Sequence, residues 1–169
     1  VIDPNGVITA IYDKIHMFDA NVADGQIYEE SAHFQAGDQP VLATADDLKI
    51  GMTICYDLRF PVWSRNDLNY DVLFYLANWP SPRISHWNKL LVARAIENMS
   101  YCIAVIIVGS DPENQYEGGS CIINPNGDQC TNKTEEETII YYELNKDTID
   151  DYKSSLNFLD DKDHFKVKI

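Results

Sequence analysis

Three short, nearly unbroken apolar runs constrain this chain more than any other feature: "LKIGMTIC" (48–55), "DVLFYLA" (71–77) and "YCIAVIIVG" (101–109). A strand with one wet face alternates apolar and polar residues. Runs without that alternation are strands buried on both faces, as in sheets covered by helices. Between the second and third runs, "SHWNKLLVARAIENM" (85–99) repeats Trp87, Leu90, Leu91, Ala95 and Ile96 at helical spacing, with Ser85 as the expected cap. Buried strands alternating with a helix predict a layered α/β fold. The 169 residues are 45% hydrophobic, enough for one sizeable core. With no repeat or low-complexity break, residues 1–169 read as a single domain.

The remaining text is turn-rich. Asn5-Gly6 and Asn126-Gly127, each flanked by apolar residues, predict tight hairpin turns. Residues 17–37 show little period and read as a long loop, a kind of segment that often carries function. "ETIIYYEL" (137–144) is expected to pair beyond the second hairpin, and "NKDTIDDYKSSL" (145–156) to form a short acidic helix. Because the text opens on the first arm of a hairpin, an upstream part of the fold is expected to precede Val1.

Charge narrows the function classes. The formal net charge is −14. Such a field repels phosphate backbones and anionic membrane surfaces, so nucleic-acid and membrane partners are not expected. An anionic substrate would need arginines focused locally. No apolar stretch approaches the roughly 20 residues that span a bilayer. Cys55, Cys102, Cys121 and Cys130 show neither CxxC pairing nor histidines at zinc-ligand spacing, so neither metal nor cofactor is expected. Cys55 and Cys102 lie in strand-like apolar runs, which suits reduced thiols in a cytoplasmic protein better than a disulfide framework.

The chemistry-bearing stretch is "GMTICYDLRFP" (51–61). A cysteine closing an apolar strand is most often a packing residue, and Cys102, Cys121 and Cys130 keep that reading. Cys55 differs because the chain must turn out at the carboxyl edge of the sheet, where open α/β sheets bind ligands. A thiol there acts as a nucleophile only with a cation or base beside it.

"YDKIHMF", "YEES", "ICYDLRFP", "LANWP" and "HWNKLLVARAIENMSY" follow one another in this order. Together they resemble the nitrilase superfamily of carbon–nitrogen hydrolases, and within it the ω-amidase branch. The resemblance runs from the first residues to about Gly127. It implies a four-layer α-β-β-α sandwich, here without its N-terminal part, and pairing into a homodimer. It also implies Cys55 as nucleophile, Lys14 as catalytic lysine, and Glu30, rather than the adjacent Glu29, as the glutamate that holds the lysine. The family's general base is a glutamate upstream of the lysine segment, which this text does not contain. The 169 residues alone are therefore expected to be inactive.

Arg59, four residues after the cysteine, corresponds to the arginine that relatives use for a substrate carboxylate; the competing expectation is a salt bridge to Asp57 or Asp71. Tyr56 is expected to lend a backbone N–H to the oxyanion, and Asn78 and Trp79 to shape the pocket. Arg83 and Arg94 are expected to tie the helix to the acidic face. The function implied is hydrolysis of the ω-amide of a small dicarboxylate, of the 2-oxoglutaramate or 2-oxosuccinamate type. The alternatives are a carbamoylase or another aliphatic amidase, an inactive fragment serving as an interaction surface, and a redox thiol.

Overall fold

The structure, a computed structural model, describes residues 1–22 and 25–166. Among the described residues the first strands are β1 (Asp19–Asn21), β2 (Ile27–Glu29), β3 (Leu42–Ala45), β4 (Leu48–Ile54) and β5 (Val72–Ala77). Helix α1 (Ile84–Asn98) follows, then β6 (Tyr101–Ile106), β7 (Val108–Ser110), β8 (Gln115–Glu117) and β9 (Cys121–Ile123), and finally α2 (Lys146–Leu156).

The apolar runs pair side by side. The central sheet has the order β3-β4-β5-β6-β9, with β4, β5 and β6 parallel and both outer strands antiparallel. Parallel neighbours require crossover connections, and α1 supplies the one between β5 and β6. Trp87, Leu91 and Ala95 of α1 are fully buried against Leu73, Tyr75, Cys102 and Ala104 of the sheet. Each large side chain removed from water here is worth about 1.5–3 kcal/mol. On the other face, Ile149 of α2 is buried with Val72 and Tyr101. The expected α/β class holds, with one large sheet between a full helix on one side and a short one on the other.

Burial on both faces holds only near the α2 end. Toward the other end Leu76 is 48% exposed and Val105 41%. Residues 17–37 are not all loop: β1 and β2 pair antiparallel in the register Ala20↔Tyr28, and a 3-10 turn, Glu30–Ala32, follows. The run 101–109 is two strands rather than one, broken at Ile107, with β7 leaving the central sheet to pair with β8. Ser85 does not cap α1. The helix is fed by the 3-10 turn Ser81–Arg83, and Arg83 occupies the cap position without a side-chain cap bond.

Residues 137–144 form no strand, and Ile139 and Tyr141 stand largely exposed. The acidic helix is present as α2, capped by Asn145, whose side chain accepts from the Thr148 N–H at 3.0 Å. Both Asn-Gly turns form. Ile2 bridges Ile8 across the first, where Gly6 takes φ +81°, and Ile123 bridges Gln129 across the second.

Candidate active site

Because β4 and β5 run parallel, their carboxyl ends emerge together, Cys55 after one and Asn78 after the other. Beyond Ile54 the chain tightens into a 3-10 turn, Cys55–Arg59. Cys55 itself sits at φ +47°. A left-handed conformation costs a β-carbon-bearing residue roughly 1–2 kcal/mol, so the surrounding contacts hold it there. The Cys55 Sγ donates to the Asn78 carbonyl at 3.6 Å. Burial pushes the thiol above its ordinary pKa. Lys14 pulls the other way, as does the Asn78 contact, while the charges of Glu30 and Asp57 add to the rise. Because the thiolate is the nucleophilic form, attack by Cys55 requires loss of the thiol proton.

Asp57 is the organising residue of this corner, and it is fully buried. Its Oδ2 accepts from the Ile54 N–H at 2.9 Å and from the Tyr12 hydroxyl at 2.7 Å. Its Oδ1 accepts from the His16 N–H at 3.0 Å and lies 2.8 Å from His16 Nδ1. The His16 ring is in turn stacked on Phe60, with centroids 3.6 Å apart. Tyr12 and His16 stand two residues either side of Lys14, and Asp57 stands two residues after Cys55. One carboxylate thus clasps the lysine segment to the cysteine turn.

Lys14 Nζ donates to Glu30 Oε2, and the same oxygen accepts the Phe18 N–H at 2.6 Å. Gly37 fixes the lysine from behind: its N–H donates to the Lys14 carbonyl at 2.9 Å, and a β-carbon there would stand 2.5 Å from the Asp13 carbonyl oxygen. Glu29, by contrast, makes no ion pair with Lys14.

These residues open onto a cavity of about 630 Å³ whose wall includes Cys55, Lys14, Glu30, Tyr56, Arg59, Asn78 and Trp79. Every residue expected at the site from the sequence is therefore in one place. The Arg59 guanidinium lies over the Trp79 ring, 4.8 Å from its centroid, and its Nη2 is 3.3 Å from His86 Nδ1. The expected alternative, an ion pair to Asp57 or Asp71, is not formed: Asp57 is engaged as above, and Asp71 takes Lys146 and Lys153. Arg94 is structural, pairing Glu97 at 2.9 Å and donating to the Leu58 carbonyl at 2.7 Å.

Arg83 does not tie the helix to an acidic face. It lines the cavity, with its guanidinium 5.7 Å from the centroid of Phe18. Phe18, Tyr28 and Tyr116 also line the cavity and were not singled out from the sequence. For Arg83 the readable signal is "WPSPR", a proline-bounded tight turn directly after β5, which puts its last residue at the sheet's carboxyl edge. Among the described residues no cluster of three or more histidine, cysteine or carboxylate side chains could hold a metal. None of the four cysteines is disulfide-bonded, and Cys102 and Cys121 are buried. Burial raises the pKa of both thiols, which does not favour a redox pair.

Residues 1–154 match the carbon–nitrogen hydrolase family. The chain is 38% identical over 169 residues to the ω-amidase YafV of Escherichia coli, covering 99% of this chain and 63% of that protein. It is 36% identical over 163 residues to a 2-oxoglutaramate amidase of Bacillus subtilis, covering 95% and 60% respectively. It thus spans somewhat under two thirds of these curated relatives. Its backbone superposes on XC1258 from Xanthomonas campestris, a CN-hydrolase superfamily protein with an arsenic adduct in its active site, with a TM-score of 0.86 and 30% identity. That superposition covers 98% of this chain and 63% of the other. The matched residues include the strand end of Cys55, the lysine segment and the turn after β5, and on that match the chain belongs to the carbon–nitrogen hydrolase family.

Proposed function

We propose that this chain carries the nucleophile and the substrate-binding wall of an amidohydrolase that cleaves the ω-amide of a small dicarboxylate monoamide of the 2-oxoglutaramate or 2-oxosuccinamate type. The observation that carries the reading is the meeting in one cavity of a half-buried thiol, a lysine held by a glutamate, and an arginine that has no carboxylate partner among the described residues. The similarity to an ω-amidase and to a 2-oxoglutaramate amidase supports the substrate class.

An amide is a poor electrophile with a poor leaving group, so covalent catalysis divides the reaction. The Cys55 Sγ, losing its proton to a carboxylate base, attacks the amide carbon, and the carbonyl electrons move onto oxygen. Lys14 Nζ and the Tyr56 backbone N–H stabilise that oxyanion, each such donor being worth roughly 3–4 kcal/mol. The C–N bond then breaks and the nitrogen leaves as ammonia with the returned proton. Water, activated by the same base, cleaves the thioester, frees the carboxylic acid and restores the thiol. Glu30 is committed to Lys14 and the Phe18 N–H, which suits it to hold the lysine; the base is a different glutamate. Arg59 takes the substrate carboxylate, and Asn78 and Trp79 shape the space between. The reading includes a single domain over residues 1–169 that acts as a cytoplasmic homodimer, without metal, cofactor, nucleic-acid or membrane partners. Among the described residues no helix is long and apolar enough to cross a membrane.

The test is ammonia release from 2-oxoglutaramate by the protein with the expected upstream glutamate segment present and by its Cys55→Ala variant, which should lose at least a thousandfold in kcat. Faster release of ammonia from an N-carbamoyl amino acid would favour the carbamoylase alternative, and ammonia release retained by Cys55→Ala would end the thiol mechanism.

A further inference from the structure

The cavity holds two arginines, and the mechanism above uses one. Arg83 ends the 3-10 turn Ser81–Arg83, and its backbone is fixed three ways. Its N–H donates to the Pro80 carbonyl at 3.0 Å, and its carbonyl accepts the Trp79 indole N–H at 2.8 Å. The turn itself is pinned by the Ser81 hydroxyl, which donates to the Gln115 carbonyl at 2.9 Å. The guanidinium lies toward Phe18, whose own N–H is held by Glu30. Among the described residues it makes neither an ion pair nor a hydrogen bond, although the chain carries 27 acidic residues against 13 basic ones. In the same chain Lys14, Arg94, Lys146, Lys153 and Lys162 all find carboxylates.

Arg59 is placed in a matching way. Its guanidinium rests on the Trp79 ring, and the indole N–H of that same tryptophan holds the Arg83 carbonyl. One aromatic residue therefore links both arginines, and each guanidinium has an aromatic face beneath it and, among the described residues, no carboxylate ion-paired to it. Lys14 is neutralised by Glu30 at the thiol end. The wall also carries Glu29, so its three cations, Lys14, Arg59 and Arg83, exceed its two carboxylates by one charge, and with Lys14 paired to Glu30 that excess lies with the arginines. A guanidinium offers five N–H donors and no acceptor, so such a pair suits a planar group rich in oxygen acceptors.

We propose that Arg83 is a specificity residue that, with Arg59, clamps the 2-oxo-carboxylate end of the substrate. One guanidinium takes both carboxylate oxygens through its fork, and the other donates to the adjacent keto oxygen and to a second lone pair of the carboxylate oxygen beside it. The same clamp disfavours a 2-amino acid amide such as glutamine, because an ammonium in place of the keto group would face two guanidiniums and satisfy neither. The proposal rests on the dicarboxylate-monoamide reading and adds the residue that distinguishes oxo from amino substrates.

The experiment uses the protein with the expected upstream glutamate segment present and compares kcat/KM of wild type, Arg83→Gln and Arg83→Lys on 2-oxoglutaramate, glutamine and neutral butyramide. Arg83→Gln should lower the 2-oxoglutaramate value roughly ten- to a hundredfold, chiefly through KM, with Arg83→Lys between it and wild type. Butyramide should fall several-fold less, and the preference for 2-oxoglutaramate over glutamine should narrow. An equal fall on butyramide, or no fall on 2-oxoglutaramate, would overturn the role of Arg83. A wild-type enzyme without preference for carboxylated amides would instead remove the underlying substrate reading. Calorimetric titration of 2-oxoglutarate into Cys55→Ala, with and without Arg83→Gln, asks the same question without turnover. Affinity should drop at least tenfold, and equal affinity would count against the clamp.

Discussion

Asp57 shows how one side chain can hold two distant segments in register. It is buried, it receives the Tyr12 hydroxyl and the His16 and Ile54 N–H groups, and it lies between the lysine and cysteine segments. A buried carboxylate whose oxygens are all engaged is stabilising only while every partner is present. Asp57→Asn keeps the shape but turns an NH₂ toward one set of donors. It should cost about 2–4 kcal/mol in denaturant unfolding. At a temperature where the variant remains folded, kcat should fall while KM for 2-oxoglutaramate changes little, because Lys14 and Cys55 lose their alignment whereas the arginines keep theirs. Tyr12→Phe removes one donor and should show a weaker form of the same split. Equal falls in binding and turnover would make Asp57 a general stability residue instead.

Among the elements, α2 is held by charge as much as by its buried Ile149. Asp71 receives the Lys49 N–H at 3.0 Å and pairs with Lys153 at 3.2 Å and Lys146 at 3.4 Å. Burial pushes its carboxyl upward, but the Lys49 N–H and the two ammonium groups outweigh it and leave the pKa below the usual carboxylate value. A depressed folded pKa contributes stability that is present above the unfolded value, about 3.9, and is lost as pH falls through the folded one. Amide hydrogen exchange in α2 should therefore accelerate relative to α1 as pH falls below about 4, and Asp71→Asn should produce the same loosening at neutral pH. If α2 and α1 lose protection together, the ion pairs do not govern its docking. The elements readable in the sequence were those with a strong internal signal: the apolar runs, the amphipathic α1, the Asn-Gly turns and the capped α2. β1, β2 and β8 are three residues each, too short for alternation to register, and β7 continues the apolar run 101–109, whose break at Ile107 carries no turn signal. "ETIIYYEL" has strand-forming residues but finds no pairing partner among the described residues, so propensity alone misled.

Across the whole molecule, five separate segments deliver the cavity: residues 14–18, 27–33, 54–59, 76–83 and 114–116. Their order along the chain was legible only through resemblance, since no spacing rule brings Lys14 to Cys55 across 41 residues. Arg83 stayed hidden because a lone arginine before a helix in an acidic chain reads as a surface charge. The fold makes it part of a locally cationic wall in a protein whose net charge is −14. That inversion of charge is what an anionic substrate would require.

Catalysis by Cys55 is tested most directly by intact-mass spectrometry of the protein, with the expected upstream glutamate segment present, quenched in acid during turnover of 2-oxoglutaramate. A covalent species heavier by one 2-oxoglutaryl acyl group is expected, released by hydroxylamine as a thioester should be and mapped by fragmentation to Cys55. An adduct on any other residue would contradict it, as would turnover that persists when Cys55 is alkylated.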